Sequence, residues 1–231
     1  MKLRDFSMKT IVLYSKAGLA TQILLKIEEN YLLVDSGDGT LRDLLSLKID
    51  FHNLKGIFLT HGHYDHIGGL YALLGYFRVI ERKSEINIYY PRQSRESRSI
   101  LWSFRKSYKD IPFPIYINEL EGGEEIELNH IKIKTYRMKH YAAVGVNRIL
   151  YPDPAIGYRF FWGGESIAVT GDTAVCPGLI SLVQGADLAL IDATLTKDEE
   201  TEELLNKLHL SEEKAKEIGK LAKEYILIHQ K

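Results

Sequence analysis

Four apolar stretches of strand length in this chain each run into a side chain that can hold a metal ion. GIFLT is followed by His61, IKIKTYRMK by His140, SIAVTG by Asp172 and YILI by His229. The rim of a sheet fixes the backbone while side chains face a cleft, which is where binding groups are usually presented. The fold is thereby constrained to bring strands remote in sequence to a shared edge.

The rest of the pattern suits such sheets. TIVLYS and ATQILLKI read as strands, EEN as a turn, and YLLVDSGDGT as a strand entering a Gly/Asp loop, so the chain opens on antiparallel hairpins. INIYY and DLALID add strands, while helical spacing links Leu70, Leu73, Leu74 and Phe77, and again Ala215, Ile218, Ala222 and Tyr225. Hairpins first and alternating strands and helices later predict two sheets face to face with helices outside. This is a four-layer αββα sandwich of the mixed α/β (α+β) class. With 231 residues, 45% of them apolar, and no linker, repeat or low-complexity tract, one domain over residues 1–231 is expected. No apolar run approaches the roughly 18 residues that cross a bilayer. The opening MKLRDFSMKTIVLY has no signal-peptide pattern, so a cytoplasmic protein is expected.

A single cysteine, Cys176, excludes an internal disulfide framework and leaves metal binding to histidine and carboxylate. Cys176 itself reads as a small packed residue, with no catalytic base beside it. The segment His61-Gly62-His63-Tyr64-Asp65-His66 holds three of the chain's eight histidines within six residues. Alternation along an extended backbone sends His61 and His63 to one side, where they can share a cation. Asp65 and His66 follow as the chain turns toward a helix near Leu70 and can face an adjacent site. Asp172 offers a bridging carboxylate, and His140 and His229 complete the two donor sets. Such N/O donors suit two divalent ions, zinc first, with manganese or iron as alternatives. Two ions about 3.5–4 Å apart can hold a bridging hydroxide and polarise a P–O or C=O bond, which is a hydrolase design. His52 and His130 lack this context and read as surface residues.

His61, His63, Asp65 and His66 match the HxHxDH signature of the metallo-β-lactamase superfamily, and His140, Asp172 and His229 follow in the order of its further ligands. Over nearly its whole length the sequence resembles that superfamily and its fold. Within it, the sequence resembles ribonuclease Z, the tRNA 3′-end endonuclease, and related phosphodiesterases. GYRF before SIAVTGDTAVCPGL, the strand ADLALIDATL, and His209-Leu210-Ser211 ahead of His229 carry this likeness. The resemblance implies His61, His63, His140 and Asp172 on one ion, and Asp65, His66, Asp172 and His229 on the other. It implies His209 as proton donor to the leaving oxygen, Asp65 as orienter or base for the attacking water, and Asp192 as an orienting carboxylate. A phosphodiester substrate, with RNA as one candidate, and a homodimer are implied too. Independently, Ser211 is a good N-cap with Glu212 and Glu213 in the first turn, so His209 precedes a helix start that can meet a phosphate.

The sequence departs from ribonuclease Z between His140 and Asp172, where Tyr141–Gly171 is too short for the tRNA-gripping arm, and after His229, where no extension follows. Two other readings stay open. One is a lactonase or thioesterase like glyoxalase II; the other is a non-catalytic metal- or RNA-binding module. The stretch Arg78–Lys109 is basic with interleaved aromatics, although the net charge is only −1. It reads first as a helix-loop surface with aromatics facing the core, and second as an RNA-contacting face.

Overall fold

The computed structural model describes residues 8–144, 149–199 and 201–231. Residues 1–7, which open the segment read as lacking a signal peptide, lie outside the described residues. The first sheet is built in chain order from β1 (Met8–Lys16), β2 (Ala20–Ile27), β3 (Asn30–Val34), β4 (Leu54–Phe58), β5 (Ile86–Pro91) and β6 (Ile115–Leu120). Its first three strands are antiparallel and its last three run parallel to β3.

The other half contains β7 (Glu125–Leu128), β8 (Ile131–Arg137), β9 (His140–Val144), β10 (Ile149–Asp153), β11 (Ile156–Trp162), β12 (Glu165–Val169), β13 (Leu188–Asp192) and β14 (Glu224–Ile228). The second sheet runs in the order β14-β13-β12-β11-β8-β7, and β9 with β10 forms a separate two-stranded ribbon. Because β12, β13 and β14 are parallel neighbours, their C-terminal ends lie side by side.

Alternation along the strands sorts side chains into three apolar clusters. Ile23, Leu25 and Ile27 of β2 face the second sheet's Ile133, Phe160 and Leu190 across the middle of the sandwich. Phe58 anchors that layer, stacked on Tyr89 at 4.7 Å and edge-on to Phe160 at 5.1 Å. Leu24 and Leu33 point the other way, toward α1 (Thr40–Ser46), α2 (Tyr64–Ile67), α3 (Leu70–Val79) and α4 (Arg95–Ser107). On the opposite outer face, Ala189 and Ile191 meet α5 (Pro177–Val183) and α7 (Glu212–Gly219), with α6 (Glu202–Lys207) between them in sequence. The four-layer αββα sandwich is therefore the observed architecture.

Two expectations need correction. The helical spacing of Ala215 to Tyr225 does not mark one helix, since α7 stops at Gly219 and Tyr225 lies in β14. A Cβ at Gly219 would sit 2.5 Å from the Tyr225 ring, so helix and strand touch at the point where the helical spacing runs on in the sequence. Arg82, counted among the basic residues of the 78–109 stretch, is fully buried. Its guanidinium donates to the carbonyls of Phe51, Leu54 (2.7 Å), Ser84 (2.8 Å) and Glu85 (2.6 Å), closing chain segments that precede two parallel strands. Arg82→Met is expected to destabilise the fold by roughly 3 kcal/mol or more, since buried carbonyls left unpaired cost about 1–3 kcal/mol each. A lower urea midpoint with an unchanged slope would show this, and an unchanged midpoint would exclude it.

The rest of that stretch mostly follows the surface reading. Tyr89, Tyr90 and Phe104 are buried, while Arg78, Arg92 and Arg98 pair with Asp110, Glu121 and Glu119 respectively. Trp102 is the exception, 62% exposed with Lys106 over its ring.

Candidate metal centre

The strand ends deliver their side chains to one place. β4 leads to His61, β12 through a turn to Asp172, β13 ends on Asp192 and β14 leads to His229, while β9 begins on His140. Gly171 permits the turn before Asp172. It has φ +60°, and any Cβ there would lie 2.5 Å from Thr60, just before His61. His63, Asp65 and His66 come from the start of α2, whose single turn brings the last two under the sheet rim.

Two donor groups result. His61, His63, His140 and Asp172 converge in one, and Asp65, His66 and His229 in the other, each with ligand atoms within 4.8 Å of one another. In the first, His140 Nε2 lies 3.4 Å from His63 Nδ1, and His61 Nε2 lies 3.7 Å from Asp172 Oδ2. In the second, His66 Nε2 is 3.3 Å from His229 Nε2, and His229 Nε2 is 3.2 Å from Asp65 Oδ2. Asp172 joins them, because its Oδ1 is 3.3 Å from both His66 Nε2 and His229 Nδ1. His209 stands at the junction, with ring centroids 5.3 Å from His140 and 5.6 Å from His229. Its Nδ1 is 3.0 Å from Asp192 Oδ2, and it also enters a third group with Asp172, Asp192 and His229.

The donors are packed too tightly to be explained by their own hydrogen bonds. His61 Nε2 and Asp172 Oδ1 are buried and have no hydrogen-bond partner, a costly condition that a bound cation removes. With imidazole and carboxylate donors around both atoms, the residues fit divalent metal binding.

Burial and the neighbouring carboxylates drive the histidines in opposite directions. Buried His61 is pushed well below the ordinary imidazole value, with His66 adding to the effect, and burial takes His140 down to about 3. Burial also opposes the charge on His66 and His229, but Asp172 and other carboxylates win. His66 is raised well above its ordinary value with Asp35 assisting, and His229 reaches about 10 with Asp192 and Asp65 assisting. Asp172 is correspondingly held well below the carboxylate range, where its burial is outweighed by His229, His66 and His61.

Residues 30–229 match the beta-lactamase superfamily domain. The chain belongs to the beta-lactamase superfamily. Curated relatives include ribonuclease Z of Archaeoglobus fulgidus, 28% identical over 86% of this chain and 77% of that protein. Ribonuclease Z of Ignicoccus hospitalis is 29% identical over 85% and 77%. Among solved structures, the short form of human tRNase Z superposes with a TM-score of 0.79 at 23% identity, covering 96% of this chain and 92% of that one. The protein is a metal-dependent hydrolase of the metallo-β-lactamase fold.

The nine residues singled out from the superfamily signature and the resemblance, Asp192 among them, lie together in the structure. Asp192 accepts from Thr194 Oγ1 at 2.6 Å, and that hydroxyl is 2.8 Å from His229 Nδ1. His52 and His130 lie exposed elsewhere, and Cys176 is away from the donor groups, its Sγ 3.9 Å from the Arg137 carbonyl.

Two residues escaped the sequence reading. Asp35, in the Gly/Asp loop after β3, accepts from Thr60 N–H at 2.7 Å and lies 2.7 Å from His66 Nδ1. It thereby turns His66 Nε2 to the centre. Its φ of +59°, like the +56° of His229, shows left-handed backbone at the site itself. The other is Asp153, which pairs with His140 across the ribbon and places Oδ2 3.6 Å from His63 Nε2, the nitrogen turned away from His140. Its side chain is only 9% exposed and Oδ2 has no hydrogen-bond partner. Asp153→Asn is expected to weaken retention of a divalent metal about 10–100-fold, the usual effect of losing a carboxylate behind a ligating histidine. Competition against a chromogenic chelator measures it, and unchanged retention would remove Asp153 from the centre.

Proposed function

We infer that the protein is a dinuclear-metal phosphodiesterase, zinc-dependent in the first instance, acting on RNA or a related phosphodiester. His61, His63, His140 and Asp172 would hold one ion, and Asp65, His66 and His229 the other, with Asp172 shared between them. When bound, the ions supply a nucleophile from water at neutral pH and polarise the scissile P–O bond. Asp65 is held for an orienting role, its Oδ2 accepting from Gly18 N–H at 2.9 Å and facing His229 Nε2.

The observation that carries the reading is the His209–Asp192 pair beside both donor groups. Burial would strip the proton from His209, but Asp192 and then Asp172 outweigh it and raise the imidazole above its ordinary value. A histidine that holds its proton more tightly than usual, with Nδ1 committed to Asp192, presents Nε2–H to a leaving oxygen. A phosphodiester alkoxide needs that proton; a thiolate leaving group hardly does. The ribonuclease Z relatives support RNA as the polymer. The reading includes no tRNA-gripping arm, because the stretch from His140 to Asp172 is largely taken up by β9, β10, β11 and β12.

The test is hydrolysis of bis(p-nitrophenyl) phosphate beside an acyl thioester and a lactone, by zinc- and manganese-loaded protein. Phosphodiester turnover that disappears in Asp65→Ala is expected. Preferential turnover of the thioester or lactone would replace the reading with ester hydrolysis.

A further inference from the structure

We propose that the cavity beside His140 is a second phosphate subsite, in which Arg137 and Lys139 hold a phosphate other than the one under attack. The proposal rests on the phosphodiesterase reading and adds a substrate class to it: a phosphodiester whose neighbouring unit carries its own phosphate.

The cavity has a volume of about 790 Å³, within the range of small-ligand sites. His140, a member of the first donor group, forms part of its wall, so an occupant abuts the centre. Its other walls come from the end of β8, the loop after β5, the turn between β10 and β11, and the start of α5.

The charge pattern along one stretch of chain is the decisive feature. Lys132 and Lys134 on β8 both close on Glu125, at 2.9 and 2.7 Å. Past them the pairing stops. Arg137 Nε donates at 3.2 Å to the backbone carbonyl of Glu121, which fixes the stem, and neither Arg137 nor Lys139 forms an ion pair among the described residues. Met138 between them is buried in the outer apolar cluster, which anchors the backbone of the two cationic residues where they line the cavity. Arg92 on the same wall is already neutralised, paired with Glu121 and lying 3.8 Å from Glu119. Asp153, the other carboxylate on the cavity wall, is turned to His63. Two cations left unpaired at the mouth of a phosphodiester site, one a planar fork and one a point charge, suit a phosphate with several acceptor oxygens.

The phosphate has two possible sources, the next backbone phosphate of an RNA strand or the terminal phosphate of a small nucleotide. Thymidine 3′,5′-bisphosphate and thymidine 3′-monophosphate are titrated calorimetrically into the protein as purified. The added phosphate is expected to tighten binding about tenfold or more, the usual worth of charge-assisted hydrogen bonds. In the double variant Arg137→Gln, Lys139→Gln that advantage disappears, while the unfolding midpoint reports that the fold is intact. Equal affinity for the two nucleotides, or an advantage that survives in the double variant, overturns the subsite. A trithymidylate with internal phosphates and no terminal one separates the sources: competition equal to that of the bisphosphate assigns the subsite to a strand, and markedly weaker competition assigns it to a terminal phosphate. The bisphosphate advantage without turnover of bis(p-nitrophenyl) phosphate keeps the subsite and sinks the phosphodiesterase reading. Turnover without the advantage does the reverse.

Discussion

Replacing His209 with alanine is expected to slow cleavage of an alkyl phosphodiester about 10²–10⁴-fold, the span usual for losing a positioned general acid. Cleavage of a p-nitrophenyl ester should suffer far less, because that leaving group departs without a proton. The contrast between the two substrates is the measurement, since a merely structural loss would slow both alike. Asp192→Asn should reproduce the pattern in milder form. Burial alone would raise the Asp192 carboxyl, yet the His209 charge beside it brings it down to about 2, so it stays ionised wherever the enzyme works. An asparagine keeps the contact to Nδ1 but removes the charge that holds the proton on His209. Uniform slowing of both substrates in His209→Ala would take the residue out of proton transfer.

The same pair shows which parts of this site can be read from sequence. His209 and Asp192 are 17 positions apart and lie on different elements, so spacing alone did not join them. Four of the donor residues, His61, His140, Asp172 and His229, were legible because each follows an apolar run and strand ends converge whatever the details of the packing; His63, Asp65 and His66 were legible because they crowd beside His61 within six residues. The αββα layering was legible for the same reason: β2 alternates Ile23, Leu25 and Ile27 with Leu24, and both sets are apolar because both faces are covered. Asp35 was hidden because turn chemistry explained it sufficiently; its partner His66 is 31 residues away, and only the parallel pairing of β3 with β4 brings them together. Asp153 needed the register of the ribbon that sets it opposite His140. Arg82 looked like one more surface cation among many, and nothing local reveals that four carbonyls surround it.

Stripping the metal is expected to reverse how stability depends on pH. In the stripped protein His66 and His229 bind protons more tightly than in the unfolded chain, where histidine titrates near 6.5. Their stabilisation is complete below that value and is lost as pH rises through the folded values, about 10 for His229. His61 and His140 act oppositely. Held neutral by burial, they stabilise above 6.5, and the benefit is lost as pH falls toward their folded values, about 3 for His140. The stripped protein should therefore be most stable near pH 6.5 and weaken toward pH 9. The loaded protein should not weaken over that window, because cations replace the protons on His66 and His229 and bind better as protons become scarce. At metal concentrations near a thousandfold over Kd, the gain is about 4 kcal/mol, or about 10 °C in midpoint for a chain of this size. Loading at pH 7 should release about two protons, readable by calorimetry in buffers of different ionisation enthalpy. Parallel stability curves for the two forms between pH 6.5 and 9, or loading without proton release, would show that the protons and the metal do not compete for the same nitrogens.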